Sequence, residues 1–243
     1  MSRYIFILLF LTGTAVFAQD RKLTITPLTK DFYIYTTWGD AGNGNMFPAN
    51  SMYMVTKDGV VLFDTPWDTT QFQPLLDSIM LKHHERVVMC ISTHFHEDRT
   101  AGLNYYRQKG VRTYTTKQMD FLSVQNHKPR AEFLIVNDTT FHVGQYTFET
   151  YYPGKGHSPD NIVIWFPKEQ ILYGGCFIKS TETNSIGNLS DANIDEWIKS
   201  VKRVQAKFKA PKYIIPGHQD WHSRRSLSHT LTILKKCKEE NSN

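Results

Sequence analysis

The chain has 243 residues, of which 40% are hydrophobic and 21% charged, and its formal net charge is +5. This length and apolar content are ample for one large core or two small ones. The basic residues are scattered, with no basic run interleaved with aromatic residues, so we expect no nucleic-acid partner.

The first eighteen residues have the features of a secretion signal. Arg3 supplies the positive start, residues 5–11 form an apolar stretch, and Ala18 precedes the expected cut before Gln19. The apolar stretch is shorter than the ~20 residues of a membrane span, and no cysteine follows the cut to carry a lipid. We therefore expect a signal peptide over residues 1–18 and an exported mature chain over 19–243 without a membrane anchor.

Four short strands are predicted at the start of the mature chain, over residues 23–26, 32–35, 51–55 and 60–63. The turn Lys57-Asp58-Gly59 joins the last two as a hairpin. Between the second and third strands lies a glycine-rich segment over residues 37–45, which we expect to be a loop.

A helix is predicted over residues 72–80 and a buried strand over 87–91. Directly after this strand, His94, His96 and Asp98 stand at every second position. A helix would place two ligands four residues apart, whereas spacing by two is typical of an extended segment, whose alternate side chains point to one side. The stretch therefore predicts three metal-binding groups presented together on an extended segment.

The remaining elements repeat the same order of strands, helix, strand and helix. Short helices are predicted over residues 100–108 and 117–125, a strand-rich section over 132–172, an amphipathic helix from about residue 194, a short strand over 213–215 and a last helix over 223–238. No linker divides the two similar halves. We predict one α/β domain over 19–243, in which two sheets face each other and helices cover their outer sides.

Four of the ten histidines stand where a predicted strand gives way to a loop, the place where sites are built on a rigid scaffold. His94 and His96 follow the strand over 87–91, His157 lies in a loop before a strand, and His218 follows the strand over 213–215. The three imidazoles of His94, His96 and His157 would form a zinc site with an open fourth position.

Cys176 indicates a second metal site. The three cysteines are an odd and small number for a disulfide framework in an exported protein, and a free thiol in an oxidising compartment is a liability unless it is held as a protected thiolate. A metal would do this, and Asp98, Cys176 and His218 would supply mixed oxygen, sulfur and nitrogen ligands. Thiolate and imidazole favour zinc over magnesium or calcium.

Taken together and in order, these motifs resemble the metallo-β-lactamases, specifically their two-zinc subclass B1. The match covers essentially the whole mature chain and consists of His94-x-His96-x-Asp98-Arg99, Gly156-His157-Ser158, Gly175-Cys176-x-x-Lys179, Gly187-Asn188 and Pro216-Gly217-His218. The HxHxD element alone is shared with a large hydrolase superfamily. Its thioesterases usually have a histidine where this chain has Arg99, and usually lack a cysteine at the place of Cys176.

The resemblance implies an αβ/βα four-layer sandwich with two zinc ions at one edge, between the halves. It implies an enzyme that hydrolyses the lactam amide bond of penicillins, cephalosporins or carbapenems in the bacterial periplasm and so confers antibiotic resistance. Zinc lowers the pKa of water, so such an enzyme needs no nucleophilic side chain, and the chain has no convincing Ser-x-x-Lys or Gly-x-Ser-x-Gly motif. A monomer that binds only its small-molecule substrate is expected.

The resemblance also implies roles for residues around the metals. Lys179 would hold the substrate carboxylate and Asn188 would lie near the lactam carbonyl oxygen. The segment 37–45 would be a mobile flap, with Trp38 or Met46 as an apolar contact. Asp98 is expected to act mainly as a ligand, with proton transfer as a secondary role. Two further residues would orient the ligands from behind, Asp64 and Arg99.

Two alternatives remain open from the sequence. Another hydrolase of the same superfamily, such as a thioesterase, would share the HxHxD element, but Arg99 and Cys176 argue against it. An exported zinc-binding protein without catalysis would share the ligands, but the open coordination position and the expected flap argue against that.

Overall fold

The computed structural model describes residues 23–240, so the expected signal peptide over 1–18 lies outside the described residues. Twelve strands form two sheets in this part of the chain. The first sheet has seven strands in sequence order: β1 (Thr24–Thr29), β2 (Phe32–Asp40), β3 (Met46–Thr56), β4 (Gly59–Phe63), β5 (Val87–Ile91), β6 (Arg112–Thr116) and β7 (Phe133–Ile135). Pairing is antiparallel from β1 to β4 and parallel from β4 to β7.

The second sheet has five strands: β8 (Thr139–Val143), β9 (Tyr146–Tyr151), β10 (Val163–Phe166), β11 (Ile171–Gly175) and β12 (Tyr213–Pro216). All its pairs are antiparallel except β11 with β12, so both sheets are mixed. Helices connect and cover the sheets: α1 (Phe72–His83), α2 (Glu97–Thr100), α3 (Leu103–Gln108), α4 (Lys117–Gln125), α5 (Ile194–Lys207) and α6 (Ser226–Glu240). No helix within residues 23–240 has both the length and the apolar character needed to cross a bilayer.

The two sheets face each other across an aromatic core. Phe32 and Phe63 of the first sheet meet Phe148 and Phe166 of the second, with ring centroids 5.0 to 5.3 Å apart and edge-to-face geometry. All four side chains are fully buried. Burial of a phenylalanine stabilises the fold by about 1.5–3 kcal/mol, so this cluster is a major contribution to holding the sheets together.

Helices cover the outer side of each sheet. The stripe Trp197, Val201 and Val204 of α5 is buried against the second sheet, as the spacing i, i+4, i+7 predicts. Asn193 begins this helix by accepting a hydrogen bond from the backbone N–H of Glu196. Helices α1 and α3 bury their apolar residues against the first sheet. The predicted four-layer sandwich of two mixed sheets is therefore confirmed.

Two local predictions are wrong. The predicted helix over 100–108 is broken into α2 and α3 near Gly102, where the backbone N–H bonds to the Thr65 hydroxyl and a Cβ would lie 3.0 Å from Thr65 Cβ. The loop predicted over 37–45 is shorter, because β2 runs to Asp40 and β3 begins at Met46. Only residues 41–45 form the turn, and the Asp40 carboxylate accepts hydrogen bonds from the N–H groups of Gly42 and Gly44 there.

Candidate metal centre

The six expected ligands lie along one edge of the sandwich. His94 follows the end of β5, Cys176 follows β11 and His218 follows β12. His157 comes from the loop between β9 and β10. Each sheet therefore contributes three of the ligands, and the edge between the sheets is the place where they meet.

The extended segment predicted for the HxHxD stretch is wrong, because residues 93–96 form bends after β5 and a helix follows them. His96 has extended backbone angles and precedes α2, whereas Asp98 lies within the first turn of that helix. The N–H groups of Arg99 and Thr100 both bond to the carbonyl oxygen of His96. Asp98 therefore reaches the site from a helical turn, not from a continuing strand.

His94, His96 and His157, termed here the first cluster, point ring nitrogens at one another. His94 Nε2 lies 3.0 Å from His96 Nδ1, which lies 3.1 Å from His157 Nε2. His94 and His157 are buried, and this burial holds the pKa of each imidazole well below its usual range. Both rings are therefore neutral at physiological pH and keep an unprotonated nitrogen available to a metal.

Asp98, Cys176 and His218, termed here the second cluster, are equally close. Cys176 Sγ lies 3.1 Å from Asp98 Oδ2 and 3.1 Å from His218 Nε2, and the latter two atoms are 3.3 Å apart. Burial alone would raise the pKa of Asp98, but Arg99 and the hydrogen bond from His218 hold it well below its usual value. Burial raises the pKa of the Cys176 thiol against the opposing effect of the neighbouring Arg99, so this sulfur needs a bound metal ion to become a thiolate.

The donor set fits a pair of metal ions. A carboxylate of Asp191 lies 2.9 Å from His96 Nε2 and can only accept, so that nitrogen carries the proton and Nδ1 faces the first cluster with a lone pair. In the same way His218 Nδ1 donates to the carbonyl oxygen of Pro48 at 2.7 Å and leaves Nε2 free to bind. Lone pairs that converge to about 3 Å repel one another unless a cation lies among them, and borderline-soft nitrogen and sulfur donors suit zinc.

Arg99 lies behind the second cluster and is completely buried. Its Nε donates to Asp98 Oδ2 at 3.0 Å and its Nη2 donates to Cys176 Sγ at 3.1 Å. Further bonds from the guanidinium to the carbonyl oxygens of Asn50 and Gly217 fix its position. The guanidinium therefore contacts two of the three side chains of the second cluster from one rigid location.

Asp64 has a left-handed backbone conformation (φ 68°), which costs a non-glycine residue on the order of 1 kcal/mol. Its buried carboxylate accepts hydrogen bonds from the backbone N–H and hydroxyl of Thr93 and from the hydroxyl of Tyr173, and lies 3.4 Å from Arg99 Nη1. Burial raises the pKa of Asp64 to about 6, against the opposing effect of Arg99. Asp64 thus reaches the ligands through Thr93 and Arg99.

A cavity of about 630 Å³ opens over both clusters. Lys179 and Asn188 line it together with four of the six candidate ligands: His96, Asp98, His157 and His218. Lys179 is only 9% exposed and its Nζ lies 5.3 Å from the centroid of the Trp197 ring. Asn188 Oδ1 accepts from the N–H of Ser190 at 2.9 Å. The cavity thus brings a buried cation and an amide to the candidate metal centre.

Trp38 and Met46, the apolar contacts expected from the flap, lie outside the lining of the cavity. Cross-strand partners share a face of the sheet, and Trp38 pairs with Pro48 whereas Gly39 pairs with Phe47. Trp38 and Phe47 therefore point to opposite faces, and Phe47 with Trp67 lines the cavity while Trp38 and Met46 do not. The rings of Phe47 and Trp67 lie 5.3 and 6.2 Å from that of His218.

Sequence reasoning also missed Asp191. It lies 95 positions from His96, and its local sequence shows only the start of a helix, so no local pattern reveals the pairing.

Comparison with known proteins gives the same family from sequence and from structure. The family model of the metallo-beta-lactamase superfamily matches residues 44–218, a range that includes all six candidate ligands. The chain is 39% identical to a metallo-beta-lactamase type 2 of Elizabethkingia meningoseptica, over 95% of this chain and 92% of that protein. It is 38% identical to metallo-beta-lactamase IND-1 of Chryseobacterium indologenes, over 95% and 97%.

Solved structures of metallo-beta-lactamases are also similar to this chain. The crystal structure of metallo-beta-lactamase IND-7 superposes with a TM-score of 0.85 at 37% identity and covers 89% of this chain and 100% of that one. A metallo-beta-lactamase from Pontibacter korlensis gives a TM-score of 0.84 at 32% identity, with 88% and 99% coverage. The similarity therefore extends over nearly the full length of each chain.

Proposed function

The chain belongs to the metallo-β-lactamase superfamily, and from this premise we propose that it is a two-zinc β-lactamase that hydrolyses the lactam amide bond of penicillins, cephalosporins and carbapenems. The single observation that carries the proposal is the convergence of six ligand side chains in two clusters beneath one cavity. The curated relatives that match nearly the whole chain carry the name metallo-beta-lactamase, which supports a hydrolase acting on β-lactams.

Zinc is the metal that the two clusters fit best. His94, His96 and His157 would hold one ion, and the second cluster would hold the other. When bound, zinc would activate the attacking water, polarise the lactam carbonyl and stabilise negative charge on the leaving nitrogen. The side chains around the ions would bind the substrate and hold the ligands in place.

Lys179 would bind the carboxylate of the substrate. Its ammonium is almost completely buried beside the cavity, and this burial lowers its pKa, so a carboxylate partner restores charge balance there. Such a charge-assisted bond is worth about 1.5–3 kcal/mol. Asn188 would place its amide NH₂ group toward the lactam carbonyl oxygen, because its own oxygen is occupied by Ser190.

Asp98 would act first as a ligand. Arg99 and His218 keep its pKa low, and a carboxylate with a low pKa is a weak general base, so proton transfer stays a secondary role. Arg99 and Asp64 would hold Asp98, Cys176 and the backbone before His94 in place.

The turn over residues 41–45, which borders the cavity through Ala41 and Asn45, would close over bound substrate.

Subclass B1 is the finer assignment that we propose. His94 occupies the position where the second subclass has asparagine, and Cys176 stands in the second cluster. Arg99 follows Asp98 where the thioesterases of the superfamily usually have a histidine. Residues 1–18 would direct the enzyme to the periplasm. There it would act as a monomer and protect a bacterium from β-lactam antibiotics.

Hydrolysis of a carbapenem by the zinc-loaded protein, followed by chelation and zinc replacement, tests the function. Turnover that disappears with the chelator and returns with zinc is the expected result. Parallel assays with nitrocefin and S-lactoylglutathione separate a β-lactamase from a thioesterase. Zinc bound in full stoichiometry without hydrolysis of any of these compounds would leave a binding protein and would refute the proposal.

A further inference from the structure

One ion pair lies in the wall of the cavity without belonging to the metal centre. Lys128, from the segment between α4 and β7, places its Nζ 2.5 Å from Oε1 of Glu97 in the first turn of α2. Both residues line the cavity that His96, Asp98 and Lys179 also line. Two chain segments 31 residues apart thus place opposite charges beside the candidate site.

Because this ion pair is partly exposed, it contributes little to the stability of the fold. The side chains of Lys128 and Glu97 are 29% and 57% exposed, and pairs of this kind stabilise proteins very little. A comparable pair, Arg130 with Asp120, starts in the same segment but does not line the cavity. The difference between the two pairs is their location, which for Lys128 and Glu97 is a surface that a bound substrate would face.

The charged side chains that line the cavity differ in how deeply they are buried. Lys179 is buried, and under the proposed function it takes the carboxylate on the fused rings of the substrate. Lys128 and Glu97 are more exposed, at a shallower part of the wall. In a penicillin the variable acylamino side chain is attached to the lactam ring, at the end of the fused ring system away from that carboxylate. The variable side chain is therefore the part of the substrate that would meet the shallower charges.

We propose that the Glu97–Lys128 pair sets the charge selectivity of the enzyme for the variable side chain of its substrates. The inference rests on the proposed function. While the two charges are paired they cancel, so the wall accepts neutral, cationic and anionic side chains. Removal of one partner leaves the other charge unbalanced in the wall, and a unit charge several ångströms away at a partly exposed site changes binding by roughly threefold to tenfold.

Three penicillins that share the ring system and differ in side-chain charge test this. Benzylpenicillin has a neutral side chain, ampicillin an ammonium group and carbenicillin a second carboxylate. In the zinc-loaded enzyme, Lys128→Gln leaves Glu97 unpaired, so we expect the ratio of kcat/KM for ampicillin to that for carbenicillin to rise roughly tenfold. Glu97→Gln leaves Lys128 unpaired, and the ratio should fall by a similar factor.

Controls separate charge from structure. The double variant should return toward the wild-type ratio, and both shifts should shrink in high salt. Arg130→Gln, which breaks the pair outside the cavity, should leave the ratio unchanged. Glu97 adjoins two candidate ligands, so zinc content is measured for each variant. If Glu97→Gln loses zinc, Lys128→Glu takes its place and should raise the ratio further than Lys128→Gln.

The outcomes distinguish this inference from the proposed function. If the zinc-loaded wild type hydrolyses none of the three penicillins, the proposed function itself fails. If it hydrolyses them and the Lys128 variants change all three by the same factor, the enzyme stands and the selectivity role of the pair is refuted.

Discussion

The guanidinium Nη2 of Arg99 lies 3.1 Å from the sulfur of Cys176, and both side chains are buried. The same guanidinium contacts Asp98. A fixed positive charge therefore lies beside the Asp98 carboxylate and the Cys176 sulfur before any metal binds. Arg99 offsets the cost of keeping Asp98, Asp64 and the Cys176 sulfur together in a place from which water is excluded.

Replacement of Arg99 should lower the free energy of unfolding most in the metal-free protein. Arg99→Gln leaves two buried carboxylates without their cation, which should lower the free energy of unfolding by about 3–5 kcal/mol. Zinc supplies positive charge to Asp98 and Cys176, so the loss should be smaller in the zinc-loaded protein. Urea unfolding of both forms measures this. Arg130→Gln, in an exposed ion pair, should leave the free energy of unfolding nearly unchanged in either form. Equal losses with and without zinc would contradict this account of Arg99.

Cys176→Ser should weaken the second site, because a hydroxyl is a far poorer zinc ligand than a thiolate. Turnover should fall on the order of a hundredfold or more, since loss of a ligand exceeds the ~10–100-fold effect of losing a group behind one. Zinc content after dialysis should drop toward one ion per chain. Cys237→Ser, in α6, is the matched control. Two retained zinc ions with an unchanged rate would refute the assignment of Cys176.

Asp191 fixes the tautomer of His96, so Asp191→Ala should lower the zinc affinity of the first cluster by about 10–100-fold. Competition with a chromophoric chelator gives the affinity directly. Asp195→Asn, four residues along at the exposed start of α5, should leave the affinity unchanged. An Asp191 variant that binds zinc as tightly as the wild type would show that the ring of His96 is held by its other contacts.

Lys179→Ala should raise KM for carboxylate-bearing β-lactams by about 10–100-fold with a smaller effect on kcat, because the contact is present in the bound ground state as well as during reaction. Steady-state kinetics with benzylpenicillin measure both constants. The exposed Lys199, which pairs with Glu196, supplies the control variant Lys199→Ala. An unchanged KM would place the substrate carboxylate elsewhere in the cavity.

The raised pKa of Asp64 predicts how stability depends on pH. Burial lifts it from an unfolded value of 3.8 to about 6, so the folded state holds a proton that the unfolded state has already lost between these values. The contribution of Asp64 to stability is therefore fully present below pH 3.8 and is lost as pH rises through 6, by about 3 kcal/mol in total. Chemical unfolding of the metal-free wild type and Asp64→Asn from pH 3.5 to 7 isolates it. A difference between the two proteins that stays constant over this range would contradict the shift.

Much of the fold follows from local patterns, because the strand over 87–91 and the helix over 117–125 agree with β5 and α4 at both ends. The six candidate ligands could be found because each stands beside an apolar strand. The face of the sheet to which Trp38 points could not be predicted, since it depends on the register between β2 and β3. The break at Gly102 depends on the approach of Thr65, 37 positions away, which no local window contains.

Each cluster takes ligands from both sheets: His94 and His96 with His157, and Asp98 with Cys176 and His218. Neither half of the chain can therefore assemble a complete cluster before the two halves have docked. Metal uptake then has to follow the docking of the two halves, and bound ions would add to the stability that the metal-free fold already has. Because bound ions stabilise only the folded form, the supply of zinc would influence how many copies of the chain escape proteolysis.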